Sequence, residues 1–106
     1  MPRYCFTLQV KPDRLDAYRA AHEDVWPDML DVLRRHGWRN YSLYLRDDGL
    51  LIGVTECDDL DAAVKGMADE PVNTRWQAAM LEYFESLEHE TADRSLTVLP
   101  EVFHLA

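Results

Sequence analysis

Residues Arg3 to Val10 alternate, with Tyr4, Phe6, Leu8 and Val10 on one side and Arg3, Cys5, Thr7 and Gln9 on the other. A period of two with aromatic and β-branched content predicts a strand. Lys11-Pro12-Asp13 closes it and opens a helix, since proline or aspartate suits a first turn. Leu15, Tyr18, His22, Val25, Trp26, Met29, Leu30 and Leu33 then recur at three- and four-residue spacing, a helical stripe. Pro27 interrupts it, because its ring clashes with the carbonyl four residues back and offers no donor. The pattern predicts a helix over residues 13–24, a kink at Val25-Trp26 and a second segment started by Pro27. Gly37 after Arg34-Arg35-His36 ends that segment, with cations in the last turn and glycine beyond.

Asn40 to Arg46 alternates again, setting Tyr41, Leu43 and Leu45 against Ser42 and Tyr44. Asp47-Asp48-Gly49 makes a tight turn into a strand over Leu50 to Cys57, so these two strands form a hairpin. Asp58-Asp59 caps a short helix carrying Leu60, Ala63, Val64 and Met67, broken at Glu70-Pro71. A longer helix follows, with Val72, Trp76, Ala79, Met80, Tyr83, Phe84 and Leu87 as a continuous apolar stripe. Glu88 to Ser95 reads as a charged loop, and Leu96 to Leu105 as a last strand interrupted by Pro100. The order β-α-β-β-α-β is the ferredoxin-like pattern of α+β proteins, an antiparallel sheet with helices on one face. The other face is uncovered; the reading places Tyr44, Thr55 and Cys57 on it, and small proteins of this pattern often cover it by dimerising.

With 106 residues the chain is read as one domain, 1–106, long enough for a core without disulfides or metal. Twenty acidic residues against 11 Lys and Arg give a net charge of −9, which argues against nucleic acid or an anionic membrane surface as partner. No apolar run approaches the ~20 residues that span a bilayer, and Met1-Pro2-Arg3-Tyr4 lacks an apolar signal stretch. Cys5 and Cys57 read as buried thiols, and the protein is expected in the cytoplasm.

Several chemistries lack their motifs. With four glycines there is no phosphate loop, and no Cys-x-x-Cys or His-x-x-x-His spacing points to a metal. What remains is a helix face. Tyr18 and His22 are four apart and lie one above the other, with Trp26 continuing the line. A phenol, an imidazole and an indole offer a donor, a proton carrier near neutral pH and an apolar platform, which suits a polyhydroxylated ring. By burial preference alone, a Tyr and a His on such a stripe are more often core than ligand groups. Trp76, on an apolar stripe with Met80, carries the same ambiguity. His36 is assigned to the end of its helix, His89 to the charged loop and His104 to the sheet face. Asp47-Asp48 and Asp58-Asp59 fall where turns and caps want them.

Five segments stand in order: Phe6-x-Leu8-Gln9-Val10-x-Pro12, Tyr18-x-x-x-His22-x-x-x-Trp26-Pro27, Gly37-x-x-Asn40-Tyr41-Ser42-x-Tyr44, Arg75-Trp76 and Glu101-Val102-Phe103-His104-Leu105. Together they resemble the L-rhamnose mutarotase family over nearly the whole chain. The resemblance implies a ferredoxin-like α+β fold of the dimeric α/β barrel type, pairing into a homodimer with a sugar pocket beside each sheet. It implies an isomerase that interconverts the α and β anomers of L-rhamnose without a cofactor. By position, His22 matches the family's catalytic proton donor, and Tyr18 and Tyr41 match residues that contact the sugar. A pair of tryptophans usually stands where this chain has Trp76-Gln77, so Trp76 is kept and an amide replaces the second indole.

Mutarotation takes the proton from the anomeric hydroxyl, protonates the ring oxygen, rotates the first carbon–carbon bond and recloses. One placed acid/base of pKa near 6.5 supplies a factor of ~10²–10⁴. Tyr41, an Asp or water are all open as the second proton carrier. Two other classes share the scaffold: a small dimeric α+β-barrel oxygenase-type enzyme acting on a hydrophobic or quinol-like substrate, and a non-catalytic sugar-binding module.

Overall fold

The computed structural model describes residues 1–106. Strand β1 (Arg3–Gln9) leads through a 3-10 turn (Pro12–Arg14) into helix α1 (Leu15–Glu23). Pro27 supplies the first turn of α2 (Pro27–Arg35), where a missing N–H costs nothing. The proline thus splits the predicted stripe into two nine-residue helices. Gly37, at φ 90°, then lets the chain leave α2 in the left-handed region. Strands β2 (Arg39–Leu45) and β3 (Leu50–Glu56) form the hairpin; α3 (Leu60–Ala68), α4 (Pro71–Met80) and a short β4 (Thr97–Leu99) complete the chain. Asp59 caps α3 by accepting from the Ala62 N–H at 3.3 Å, and Asp48 holds the hairpin turn through Arg46 and the Leu50 N–H. Both acidic pairs therefore carry the structural roles expected of them.

The sheet order is β2-β3-β1-β4, with every neighbouring pair antiparallel. This is the ferredoxin-like α+β arrangement. One face packs under the helices: Phe6 and Leu51 from the sheet join Tyr18, Met29, Val32, Met67, Trp76 and Met80 in one buried cluster. Gly53 sits opposite Phe6, and any Cβ there would overlap the Phe6 ring, so the glycine lets that ring lie against β3. The other face carries Cys5, Val54 and Ser42 in one cross-strand row and Thr7, Ile52 and Tyr44 in the next. Tyr44 is on it as expected, 60% exposed. Thr55 and Cys57 are not. They alternate with Val54 and Glu56, so they lie on the helix-covered side, where they are fully buried.

Three further expectations change. The long helical stripe stops at Met80: residues Leu81–Tyr83 tighten to a 3-10 turn and Phe84 goes extended to bridge Val10 beside β1. Phe84 therefore reaches the core from a strand-like backbone, and Ala79 faces solvent, while Asn73 and Gln77 are the residues α4 buries beside Trp76. The last strand is three residues long. Pro100 has no N–H to continue the ladder, and residues 100–106 carry no regular structure, with Val102 96%, Phe103 80% and Leu105 81% exposed. His104 contacts Arg3, which stands on the open side of β1 with Cys5 and Thr7. His36 does not cap its own helix with its side chain; its Nε2 meets Glu70 at 3.2 Å, just before α4, and so ties α2 to α4.

Candidate active site

Tyr18 and His22 leave α1 from consecutive turns on its inner side. Their rings stack at 4.2 Å between centroids, 4° from parallel. Nδ1 of His22 lies 2.9 Å from the Tyr18 carbonyl oxygen. A carbonyl only accepts, so Nδ1 is the protonated nitrogen and the exchangeable proton belongs to Nε2. His22 and Trp76 of α4 meet edge to face, with centroids 5.4 Å apart and planes at 83°. Trp26 continues this row in spacing only: its ring lies outside the cavity, partly exposed, and packs against Trp76 at 5.0 Å between centroids. Burial lowers the pKa of His22 from 6.5, opposed by the Tyr18 carbonyl, so its protonated form is a stronger acid than free histidine. Burial also holds the Tyr18 phenol well above its usual range, with Tyr41 adding to it.

Tyr41 reaches the same place by a backbone device. Arg39 pairs with Glu56, but Ser42 pairs with Val54, so β2 carries one extra residue between them. A one-residue shift turns every following side chain to the other face. Asn40 occupies the bulge at φ 46°, a left-handed conformation that asparagine tolerates, and its amide donates to Glu56 at 2.9 Å. Tyr41 therefore turns inward, beside Trp38 at 4.9 Å and Phe6 at 6.2 Å. As an edge-strand residue Tyr41 keeps 37% of its surface exposed, yet it lines the cavity. There burial, and then the charge of Asp93, raises its pKa far above that of a free phenol.

These side chains converge on one cavity of about 350 Å³ that continues into a recess of about 70 Å³. His22, Tyr41, Trp76, Gln77, Trp38 and Asp93 line both parts, and Tyr18 lines the recess. The larger volume falls within the ~300–1,000 Å³ of small-molecule sites. Most of the wall is apolar, with polar groups confined to a few positions. No group of three or more His, Cys, Asp or Glu side chains comes together to hold a metal ion.

Sequence reasoning missed three of the lining residues. Trp38 follows Gly37 in a connecting turn, and its indole N–H is buried without a hydrogen-bond partner. Asn73 and Gln77 are four apart, and Gln77 donates to Asn73 at 3.3 Å. Two amides at inward positions of a stripe with Val72, Trp76 and Met80 were the available signal for Asn73. Asp93 comes from the segment read as a charged loop, which in fact buries Ala92 and Ser95 around a 3-10 turn. Nothing local marks it. Gln77 Oε1 accepts from the Asp93 N–H at 3.3 Å, so this amide anchors the loop to α4.

A sequence profile described as L-rhamnose mutarotase matches residues 3–105. The chain belongs to the L-rhamnose mutarotase family. Family members from Jannaschia sp. and Oceanobacillus iheyensis, each named L-rhamnose mutarotase, are 33% identical over 106 residues, covering 99% of this chain and 99% of theirs. The crystal structure of L-rhamnose mutarotase from Formosa agariphila aligns over 100% of both chains with a TM-score of 0.81 at 19% identity. Tetracenomycin F2 cyclase from Streptomyces glaucescens, a type-II polyketide cyclase, aligns over 100% of this chain and 97% of its own at a TM-score of 0.57 and 20% identity. At such identities the likeness to these two structures shows the fold alone. Within the family frame, the cavity gathers Tyr18, His22, Tyr41, Trp76 and Gln77. No helix is long and apolar enough to cross a membrane.

Proposed function

We propose that this chain, acting as one domain over 1–106, interconverts the α and β anomers of L-rhamnose or a closely related aldose. The observation that carries the reading is the convergence of His22, Tyr18, Tyr41 and Trp76 on one cavity in a member of this family. The sugar's C–H face rests on Trp76, while Tyr18 and Tyr41 hydrogen-bond its hydroxyls, as protonated phenols can. Gln77 contributes through whatever donor and acceptor capacity its loop contacts leave free.

His22 supplies the acid. Its Nε2 proton passes to the ring oxygen as the C1–O5 bond breaks and the anomeric hydroxyl loses its proton to a base. The open-chain aldehyde rotates about C1–C2. Reclosure runs the same transfers backwards, with Nε2 recovering its proton from the C5 hydroxyl. A positioned acid of this kind is worth ~10²–10⁴-fold. The aromatic lining favours a ring that exposes C–H bonds on one face.

The active form is proposed to be a homodimer paired through the open sheet face, where Thr7, Ile52 and Tyr44 form an uncovered row. Two free cysteines, Cys5 and Cys57, fit a reducing cytoplasm. Saturation-transfer NMR between the two anomeric protons of L-rhamnose tests the activity directly. Exchange faster than in buffer supports the enzyme; binding without faster exchange would make the chain a sugar-binding module instead.

A further inference from the structure

Ring opening needs a proton acceptor as well as a donor. Among the cavity groups, the phenols of Tyr18 and Tyr41 are both pushed above their usual range by burial, so they keep their protons. Indoles and amides do not take protons near neutral pH. Asp93 is the one carboxylate on the cavity wall.

Its geometry is built. Oδ2 accepts from Asn73 Nδ2 at 3.0 Å, and Oδ1 accepts from Thr91 Oγ1 at 2.6 Å. The Asp93 N–H donates to Gln77 Oε1, and Asn73 is itself fixed by donating to the Met67 carbonyl at 3.1 Å. The carboxylate is thus oriented by neutral donors from two elements, and no Lys or Arg pairs with it. Each carboxylate oxygen can accept a further bond. Asp93 and His22 share no hydrogen bond, so neither masks the other from a molecule between them. The titratable groups facing Asp93 across the cavity are Tyr41 of β2 and Tyr18 and His22 of α1.

We propose that Asp93 is the second catalytic residue of anomer exchange, the base that takes the anomeric proton; this rests on the mutarotase reading above. An Asp93 oxygen receives the O1 proton as the C1–O1 double bond forms and the C1–O5 bond breaks, while O5 receives the Nε2 proton of His22. After rotation, His22 recovers its proton from O5–H and Asp93 returns its own to O1. The protein ends as it began, and nothing outside the cavity is consumed.

The test is Asp93→Asn, which keeps the shape and an oxygen for Asn73, with Asp93→Glu beside it. L-Rhamnose exchange is read by NMR, binding by tryptophan fluorescence, and kcat/KM across pH. Asp93→Asn is expected to lose ~10²-fold or more in exchange, to bind the sugar within a few-fold of wild type, and to lose the fall in kcat/KM on the acid side. Asp93→Glu is expected to recover part of the rate and that acid limb. A loop-holding role alone would leave the limb in place. Exchange within a few-fold of wild type in Asp93→Asn would overturn the proposal, as would a surviving acid limb. If Asp93→Asn does not fold, a wild-type kcat/KM with no fall on the acid side overturns it equally. A wild-type chain without effect on L-rhamnose exchange would defeat the mutarotase reading itself, and this role with it.

Discussion

His22 is held by Tyr18 twice: its ring lies 4.2 Å from the Tyr18 ring, 4° from parallel, and its Nδ1 donates to the Tyr18 carbonyl at 2.9 Å. Both contacts come from the same four-residue interval of α1. They fix the ring plane and the tautomer together, leaving Nε2 as the ring nitrogen without a hydrogen bond inside the protein.

His22→Ala removes that atom but leaves Tyr18, Tyr41 and Trp76 to hold the sugar. Anomer exchange should fall by ~10²-fold or more. Binding followed by tryptophan fluorescence should weaken much less, and the melting transition should remain cooperative. A folded His22→Ala protein exchanging at the wild-type rate would remove the catalytic role from this residue.

The pH profile follows from the lowered pKa of His22. An acid works only while protonated, so kcat/KM should fall as pH rises through a value below 6.5, the ordinary histidine pKa. The same residue as a base would give the opposite slope. Exchange rates measured from pH 4 to 9 distinguish the two, and a rate that climbs through this range would contradict the acid role.

Asn40 is expected to tolerate glycine and reject valine. Its φ of 46° is left-handed, and a β-branched residue there should lower stability by ~1–2 kcal/mol relative to Asn or Gly. Because the bulge aims Tyr41, Asn40→Val should also raise KM more than Asn40→Gly does. Denaturant melts and KM values for the two variants check both halves; equal behaviour would detach the bulge from the site.

The open sheet face should pair two copies. Light scattering at micromolar concentration is expected to return twice the monomer mass, and Ile52→Lys, in the middle of the Thr7–Ile52–Tyr44 row, should return the monomer mass. A wild-type monomer under these conditions would sink the dimer.

The order of elements was legible in the chain because each signal is local. Alternation marks Arg3–Gln9 as a strand, Pro27 and Pro71 open new helices where their missing N–H is harmless, and Tyr18 and His22 share a helix face by spacing alone. Alternation likewise sets Tyr41, Leu43 and Leu45 on one side of β2. Periodicity reports only which residues face together within an element. Which side is covered depends on segments far away in the chain, so Thr55 and Cys57 proved buried and Trp26 proved a support for Trp76. The extra residue at Asn40 exists only in the register with β3. Asp93 joins the cavity only because Asn73 and Gln77, sixteen to twenty residues earlier, hold its loop against α4. Hydrogen bonds of that range leave no trace in local pattern, since they are made by the packing of elements and not by the elements themselves.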